Sequence, residues 1–252
     1  DLHLSIRRQR QMCIRDRVLG VGPSEGLGVA LCKKFAKAGF DVYGCGRSQD
    51  NMSNLSNIEI EEGTITGIVA DVTEPKEVKK IFEKLDKTGK GLASVIYNAG
   101  NNNAKPFLEM DLPFFQDLWE VCAKGAFLVS QEAIPRLIEN KGGSLIFTGA
   151  TASIRSRPPF TAFAAAKSAE RSLAQGLAKE FGSSGIHVAH VIIDGIIDGD
   201  KVNLRFPEFA ASKGEDGKLK IDQIAENFLL LHNQHRSTWS FELDLRPWSE
   251  EW

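Results

Sequence analysis

The stretch "GVGPSEGLG", residues 20–28, follows a short apolar run and opens a helical pattern. Gly22, Gly26 and Gly28 are spaced G-x-x-x-G-x-G. Glycines in that pattern let the backbone turn tightly after a strand and approach a pyrophosphate at a helix N-terminus. Ser24 and Leu27 lie inside the turn and count with the glycines as candidate contacts. Many strand–helix junctions contain a glycine, so the stretch gains weight only from what surrounds it. Before it, Val18, Leu19 and Val21 form the remnant of a strand over residues 18–21. After it, Leu27, Leu31, Phe35 and Ala38 recur at helical spacing, and Gly39 is placed to cap the helix.

Further out, short apolar runs alternate with helical patterns. Strands are expected at residues 18–21, 41–45, 65–70, 93–97, 144–148, 187–193 and 240–245. Thr73 can cap the helix after the third strand, with Pro75 in its first turn. Asp111 can cap the long fourth helix. The alternation predicts an α/β fold: one Rossmann-type doubly wound parallel sheet of about seven strands, in one domain over residues 18–252. Residues 198–220 interrupt the pattern as one long irregular segment, expected to form a substrate loop. Phe206 and Phe209 mark an apolar lid within it.

Composition narrows the function. The chain has 252 residues, 42% hydrophobic and 25% charged, enough for one large core. A net charge of −2 and the absence of a basic stripe argue against nucleic acid. No apolar run reaches membrane-spanning length. Cys13, Cys32, Cys45 and Cys122 are scattered without metal-ligand spacing, which predicts reduced thiols in a cytoplasmic protein. Residues 1–17, DLHLSIRRQRQMCIRDR, carry five arginines and no structural period. "MCIRDR" resembles a translated transposon-adapter sequence, so the segment is expected to be non-native. Arg15, Asp16 and Arg17 then stand where a buried parallel strand should be apolar.

Three further motifs follow successive strands: Gly46-Arg47-Ser48, Asp71-Val72 and Asn98-Ala99-Gly100. With the glycine turn, they resemble the short-chain dehydrogenase/reductase family from residue 18 to about residue 199. The resemblance implies a nicotinamide dinucleotide, with Asp71 at the adenine amine and Asn98, Ala99 and Gly100 flanking the adenine ribose. NAD enzymes usually carry an acid near the end of the second strand for the ribose 2′-hydroxyl. This chain has Arg47 there, and a guanidinium suits a 2′-phosphate, so NADP(H) is favoured over NAD(H). Glu25, beside Gly26, is the opposing clue.

The same resemblance implies four catalytic side chains, of which one survives. The tyrosine of Tyr-x-x-x-Lys falls on Phe163, with its lysine at Lys167. The serine thirteen residues earlier falls on Ala150, and the fourth-helix asparagine on Cys122. Phenylalanine has no ionisable proton, and a positioned acid is typically worth ~10²–10⁴ in rate. Among nearby hydroxyls (Thr148, Thr151, Ser153 and Thr161), Thr151 is the best substitute. Of the two tyrosines, Tyr43 lies on the adenine side and Tyr97 reads as a core residue. Cys122, with no histidine nearby in sequence, reads as packing.

After the sixth strand the family's Pro-Gly becomes Asp194-Gly195-Ile196, with Gly195 and Ile196 expected beside the nicotinamide. Asp194 is a turn former, a partner for Lys167 or a substrate contact. The tail carries Trp239, Phe241, Trp248 and Trp252, which seal either a subunit interface or the chain's own core. Relatives are commonly dimers or tetramers, so a homodimer or homotetramer is expected. The functional expectation is hydride transfer to a small substrate with an atypical proton donor. The alternatives are an enoyl or dienoyl thioester reductase, and an NADP-binding sensor or scaffold with impaired catalysis.

Overall fold

The computed structural model describes residues 14–22 and 26–250. Most of the expected non-native segment, together with Ser24, Glu25 and Trp252, lies outside the described residues. Among them, seven strands form one parallel sheet: β1 (Ile14–Leu19), β2 (Asp41–Gly46), β3 (Thr64–Val69), β4 (Gly91–Tyr97), β5 (Gly143–Thr148), β6 (Ile186–Ile193) and β9 (Glu242–Leu245). Their order is β3-β2-β1-β4-β5-β6-β9. The order reverses between β1 and β4, and that switch point is where a doubly wound sheet opens a crevice at its carboxyl edge. The minor pair β7 (Ile197–Asp198) and β8 (Leu219–Lys220) closes the base of the 198–220 excursion.

The first strand differs from expectation. It runs over residues 14–19 rather than 18–21, with a register shift between Arg15 and Asp16 on the β4 side. Backbone pairing on both sides, to β2 and β4, sets the strand, and that pairing is indifferent to side-chain polarity. Gly20 and Val21 leave the strand, and both of their N–H groups donate to Cys45 O, at 3.0 and 2.8 Å.

Helices cover both faces. The α1 helix (Leu27–Lys37) buries Leu27, Leu31 and Phe35, as its spacing predicts, and ends on Gly39 at φ +89°. The α2 helix (Gln49–Ser56) packs beside β3, and α3 (Pro75–Asp86) follows it. Glu74 rather than Thr73 is the N-cap of α3, because Thr73 bonds Asp71 instead. Asp111 does cap α4 (Leu112–Trp119), accepting from the Phe114 N–H at 3.1 Å.

The expected long fourth helix is interrupted. A π-turn at Glu120–Lys124 joins α4 to α5 (Gly125–Glu139), and the Gly125 N–H reaches back five residues to Glu120 O. That skips the Val121 carbonyl, which accepts the Tyr97 hydroxyl. Gly125 is required there, since a Cβ would sit 2.3 Å from the Tyr97 oxygen. The α6 helix (Thr161–Phe181) lies against β6. Two short helices, α7 (Asp200–Asn203) and α8 (Pro207–Ala211), occupy the segment expected to be irregular. The last helix, α9 (Ile221–Asn233), packs on α1.

Two apolar layers sandwich the sheet. One joins α1 and α9 to Val42, Ile96, Ile146 and Val191. The other joins α3, α5 and α6 to Val95, Tyr97, Leu145 and Phe147. The aromatic tail is divided between roles. Trp239 stacks on His187 at 4.9 Å and Phe241 packs on the second layer, whereas Trp248 is 81% exposed.

Candidate functional site

The carboxyl ends of β1, β2 and β4 are drawn together through backbone. Gly20 has φ +96°, and a Cβ on it would lie 2.3 Å from the Ala99 nitrogen. Only glycine permits both that conformation and that approach. Asn98 locks the junction: its amide donates to Gly20 O at 2.8 Å, while its oxygen accepts from the Thr148 hydroxyl at 3.0 Å. Gly28 brings α1 down onto the turn, where a Cβ would meet Gly20 O at 2.8 Å. Gly22 is the opposite case, with no heavy atom of the described residues within 4 Å of the Cβ position.

The described part of the turn is therefore tight underneath, and above Gly22 no described residue crowds it. The α1 helix starts at Gly26 with no side-chain cap among the described residues and no acidic residue in its first turn. Such an end favours an anion. These features fit a dinucleotide pyrophosphate.

Asp71 and Arg47 flank this cradle. One Asp71 oxygen accepts from the Thr73 N–H at 2.9 Å and its hydroxyl at 2.8 Å. The Asp71 N–H donates to Glu77 at 2.6 Å. The other Asp71 oxygen is 3.9 Å from the Arg47 guanidinium, which is 76% exposed. Val72 and Ala99 are buried beside them, and Gly100 is exposed.

The carboxyl ends of β5 and β6 are finished differently. Phe163 is buried against Leu118, Cys122, Ala152 and Ala166 in a small apolar cluster. The Ala150 N–H donates to the Ser153 hydroxyl at 3.0 Å. Burial pushes the Cys122 thiol up, the Lys167 charge opposes that shift and Glu170 reinforces it. Burial also pushes the Tyr97 phenol well above its ordinary range. Thr151 donates to Asp194 at 2.5 Å. Asp194 is buried and also takes Arg155 at 3.0 Å and Arg246 at 2.8 Å. Gly195 packs on Pro247 and Leu219, and Ile196 O accepts from the Leu219 N–H at 2.8 Å.

Of the alternatives open for Asp194, a partnership with Lys167 is not formed. Lys167 Nζ donates to both oxygens of Glu170, at 3.0 and 2.9 Å, and to Thr148 O at 2.8 Å. Burial pushes the Glu170 carboxyl up to about 7 against the pull of Lys167. Burial works to lower the Lys167 pKa, but Glu170 and Cys122 outweigh it and raise it. Glu170 was missed in the sequence, although the signal was there. Phe163, Lys167, Glu170 and Ala174 share one buried helical face. Arg155 had no comparable signal, since it reaches Asp194 from a loop.

Residues 16–205 match the family model described as short chain dehydrogenase. This chain belongs to that family. Membership of that family supports an NAD(P)-dependent oxidoreductase of the short-chain dehydrogenase type.

A short-chain dehydrogenase from Rhodopseudomonas palustris is 30% identical, with a TM-score of 0.78 over 93% of this chain and 99% of that one. The uncharacterized oxidoreductase YuxG of Bacillus subtilis (strain 168) is 29% identical over 85% of this chain. The chain spans 31% of that relative's length. An alcohol dehydrogenase from the archaeon Thermococcus sibiricus, solved with 5-hydroxy-NADP, is 21% identical, with a TM-score of 0.79 over 94% of this chain and 98% of that one. That last likeness speaks for the fold alone. Among the described residues, no helix is long and apolar enough to cross a membrane.

Proposed function

We propose that the chain binds NADPH in preference to NADH and reduces a small substrate, with the proton coming from a group other than Phe163. The observation that carries this reading is the Gly22 face that no described residue crowds, together with the exposed Arg47 guanidinium. The pyrophosphate would lie on Gly22, Ser24, Gly26, Leu27 and Gly28. Asp71, Val72, Asn98, Ala99 and Gly100 would border the adenosine, and Arg47 the 2′-phosphate. Lys167, Gly195 and Ile196 would border the nicotinamide end. The nicotinamide, when bound, supplies the hydride.

Phe163, at the tyrosine position, keeps water out and moves no proton. Thr151 is the proton-bearing group we assign to the substrate side, with Asp194 as its acceptor. Residues 198–220 would close over the substrate, with Phe206 and Phe209 half exposed on that segment. A homodimer or homotetramer in the cytoplasm completes the proposal. An apolar row along α4 and α5 supports the assembly: Leu112, Phe115, Trp119 and Phe127 are exposed, and the Phe115 and Trp119 rings stack at 6.5 Å.

Fluorescence titration with NADPH and NADH tests the cofactor reading. Micromolar NADPH binding is expected, weakened about tenfold in Arg47→Ala, the scale of one lost phosphate contact. NADH binding should stay unchanged in that variant. Equal affinity for both nucleotides, unaffected by Arg47→Ala, would remove the NADPH preference. One observation favours a second reading, an NADP-binding sensor without turnover: Lys167 is held by Glu170 beside an apolar Phe163. Nucleotide binding with no oxidation across a panel of ketones, aldehydes and enoyl thioesters would select it.

A further inference from the structure

The Lys167–Glu170 pair is closed on itself. An ammonium has three protons, and here they meet the two Glu170 oxygens and Thr148 O. The two side chains are 5% and 0% exposed. A Cβ on Gly100 would lie 3.5 Å from Nζ, so only a missing side chain separates the ammonium from the Asn98-Ala99-Gly100 loop. Lys167 therefore faces the nucleotide side and has no proton to give it without leaving an existing partner.

We propose that Glu170 is the positioning residue for Lys167, and that nucleotide binding, by drawing the ammonium off, makes the Glu170 carboxyl take up a proton. The inference rests on the nucleotide reading above. A fully buried carboxylate that loses its counter-ion is desolvated and unpaired, so the neutral acid is favoured. The proton comes from solvent and adds to one carboxylate oxygen. No other bond changes.

The other titratable groups facing the pair do not compete. Tyr97 from β4 and Cys122 from the π-turn are both pushed up by burial and stay protonated at neutral pH. His190 from β6 is pushed down to about 4 by burial and stays neutral. Glu170 alone among these is placed near neutrality, at about 7, because burial and Lys167 act on it in opposite directions.

The direction of the pH dependence follows. Well below pH 7 the carboxyl is already protonated and binding takes up little. Above it, binding takes up nearly one proton, so affinity falls as pH rises, by up to about tenfold per pH unit.

Calorimetric titration of the full chain with NADPH at pH 8, in two buffers of different ionisation enthalpy, counts the protons directly. The 2′-phosphate is already ionised there, since a phosphate monoester loses its last proton near pH ~6. Uptake of about one proton is expected at pH 8, with Kd weakening toward tenfold per unit above it. Glu170→Gln should abolish the uptake and flatten the Kd profile. A wild-type chain that binds NADPH without proton uptake would overturn the proposal, even if the variant fails to fold. So would a folded Glu170→Gln variant that retains the uptake. Folded wild-type protein that binds neither nucleotide would instead overturn the nucleotide reading, and this inference with it.

Discussion

Two stretches of one sheet edge are finished in different ways. Where β1, β2 and β4 end, the chain uses glycines, backbone approach and a neutral asparagine bridge, and no described residue crowds the face above Gly22. Where β5 and β6 end, it uses an apolar phenylalanine, a buried Lys167–Glu170 pair and a buried Asp194 met by arginines. The first arrangement consists of backbone geometry, which the fold itself demands. The second consists of side-chain chemistry, which the fold can host in more than one form. Binding and proton transfer are thus separable properties of this edge.

The largest expected effect lies in the first stretch. Gly20→Val forces a β-branched residue to φ +96° and drives its Cβ into the Ala99 backbone. Neither atom belongs to a flexible side chain, so neither can give way cheaply. Strain and clash together should cost about 4 kcal/mol, at the upper end for one substitution. Urea unfolding measures the loss, and NADPH titration should show binding lost with it. A variant that stayed stable and still bound would mean that this junction is no more rigid than the other.

Acid should act on the opposite stretch. His190 lies beneath Gly149 at the end of β5, and burial pushes its pKa down to about 4. His232 bonds Ser144 at the start of β5 and is likewise pushed to about 4 by burial. The unfolded chain protonates a histidine near 6.5, while the folded chain resists until about 4. The unfolded state therefore binds more protons between those values, and stability declines as pH falls through that window. From pH 6.5 to 5 each histidine should cost about 1.6 kcal/mol, while Glu170, raised to about 7, takes up its proton in the folded chain and offsets about one such share. Unfolding midpoints at the two pH values measure it. His190→Gln and His232→Gln should each remove one share of the slope. Retention of the full slope in both variants would move the acid sensitivity elsewhere.

The same contrast explains what the sequence disclosed. The seven strands and their helices were legible because periodicity and glycine placement report on backbone. Gly39 and Asp111 did what their residue types predict. Thr73 did not cap α3, because Asp71 offered its hydroxyl a nearer acceptor. The β1 boundary was misplaced because ladder pairing on two sides overrides an unfavourable pattern. The π-turn left no local mark, since the Tyr97 hydroxyl that takes its skipped Val121 carbonyl is distant in sequence. At the β5–β6 end, the Asp194–Arg155–Arg246 cluster joins residues far apart in sequence, and no spacing rule anticipates it.

The smallest effect is the sharpest test of the contrast. Restoring a phenol with Phe163→Tyr places an acid one helical turn from Lys167. A free ammonium at that distance would lower the phenol pKa below its ordinary value near 10. Here Glu170 already cancels that charge, and the pocket of Leu118, Cys122 and Ala152 is apolar. Burial then disfavours the phenolate, so the new tyrosine should ionise no lower than usual. Adding Glu170→Gln removes the cancelling charge while keeping a hydrogen-bonding partner for Lys167. Burial, no longer opposed by Glu170, then lowers the Lys167 pKa, so the double variant's phenol should titrate no lower than the single variant's. Ultraviolet difference titration against the wild type, which carries Tyr43 and Tyr97, isolates the new group. A depressed pKa in the single variant would show that Lys167 is already free to act, and the second stretch would then be as open as the first.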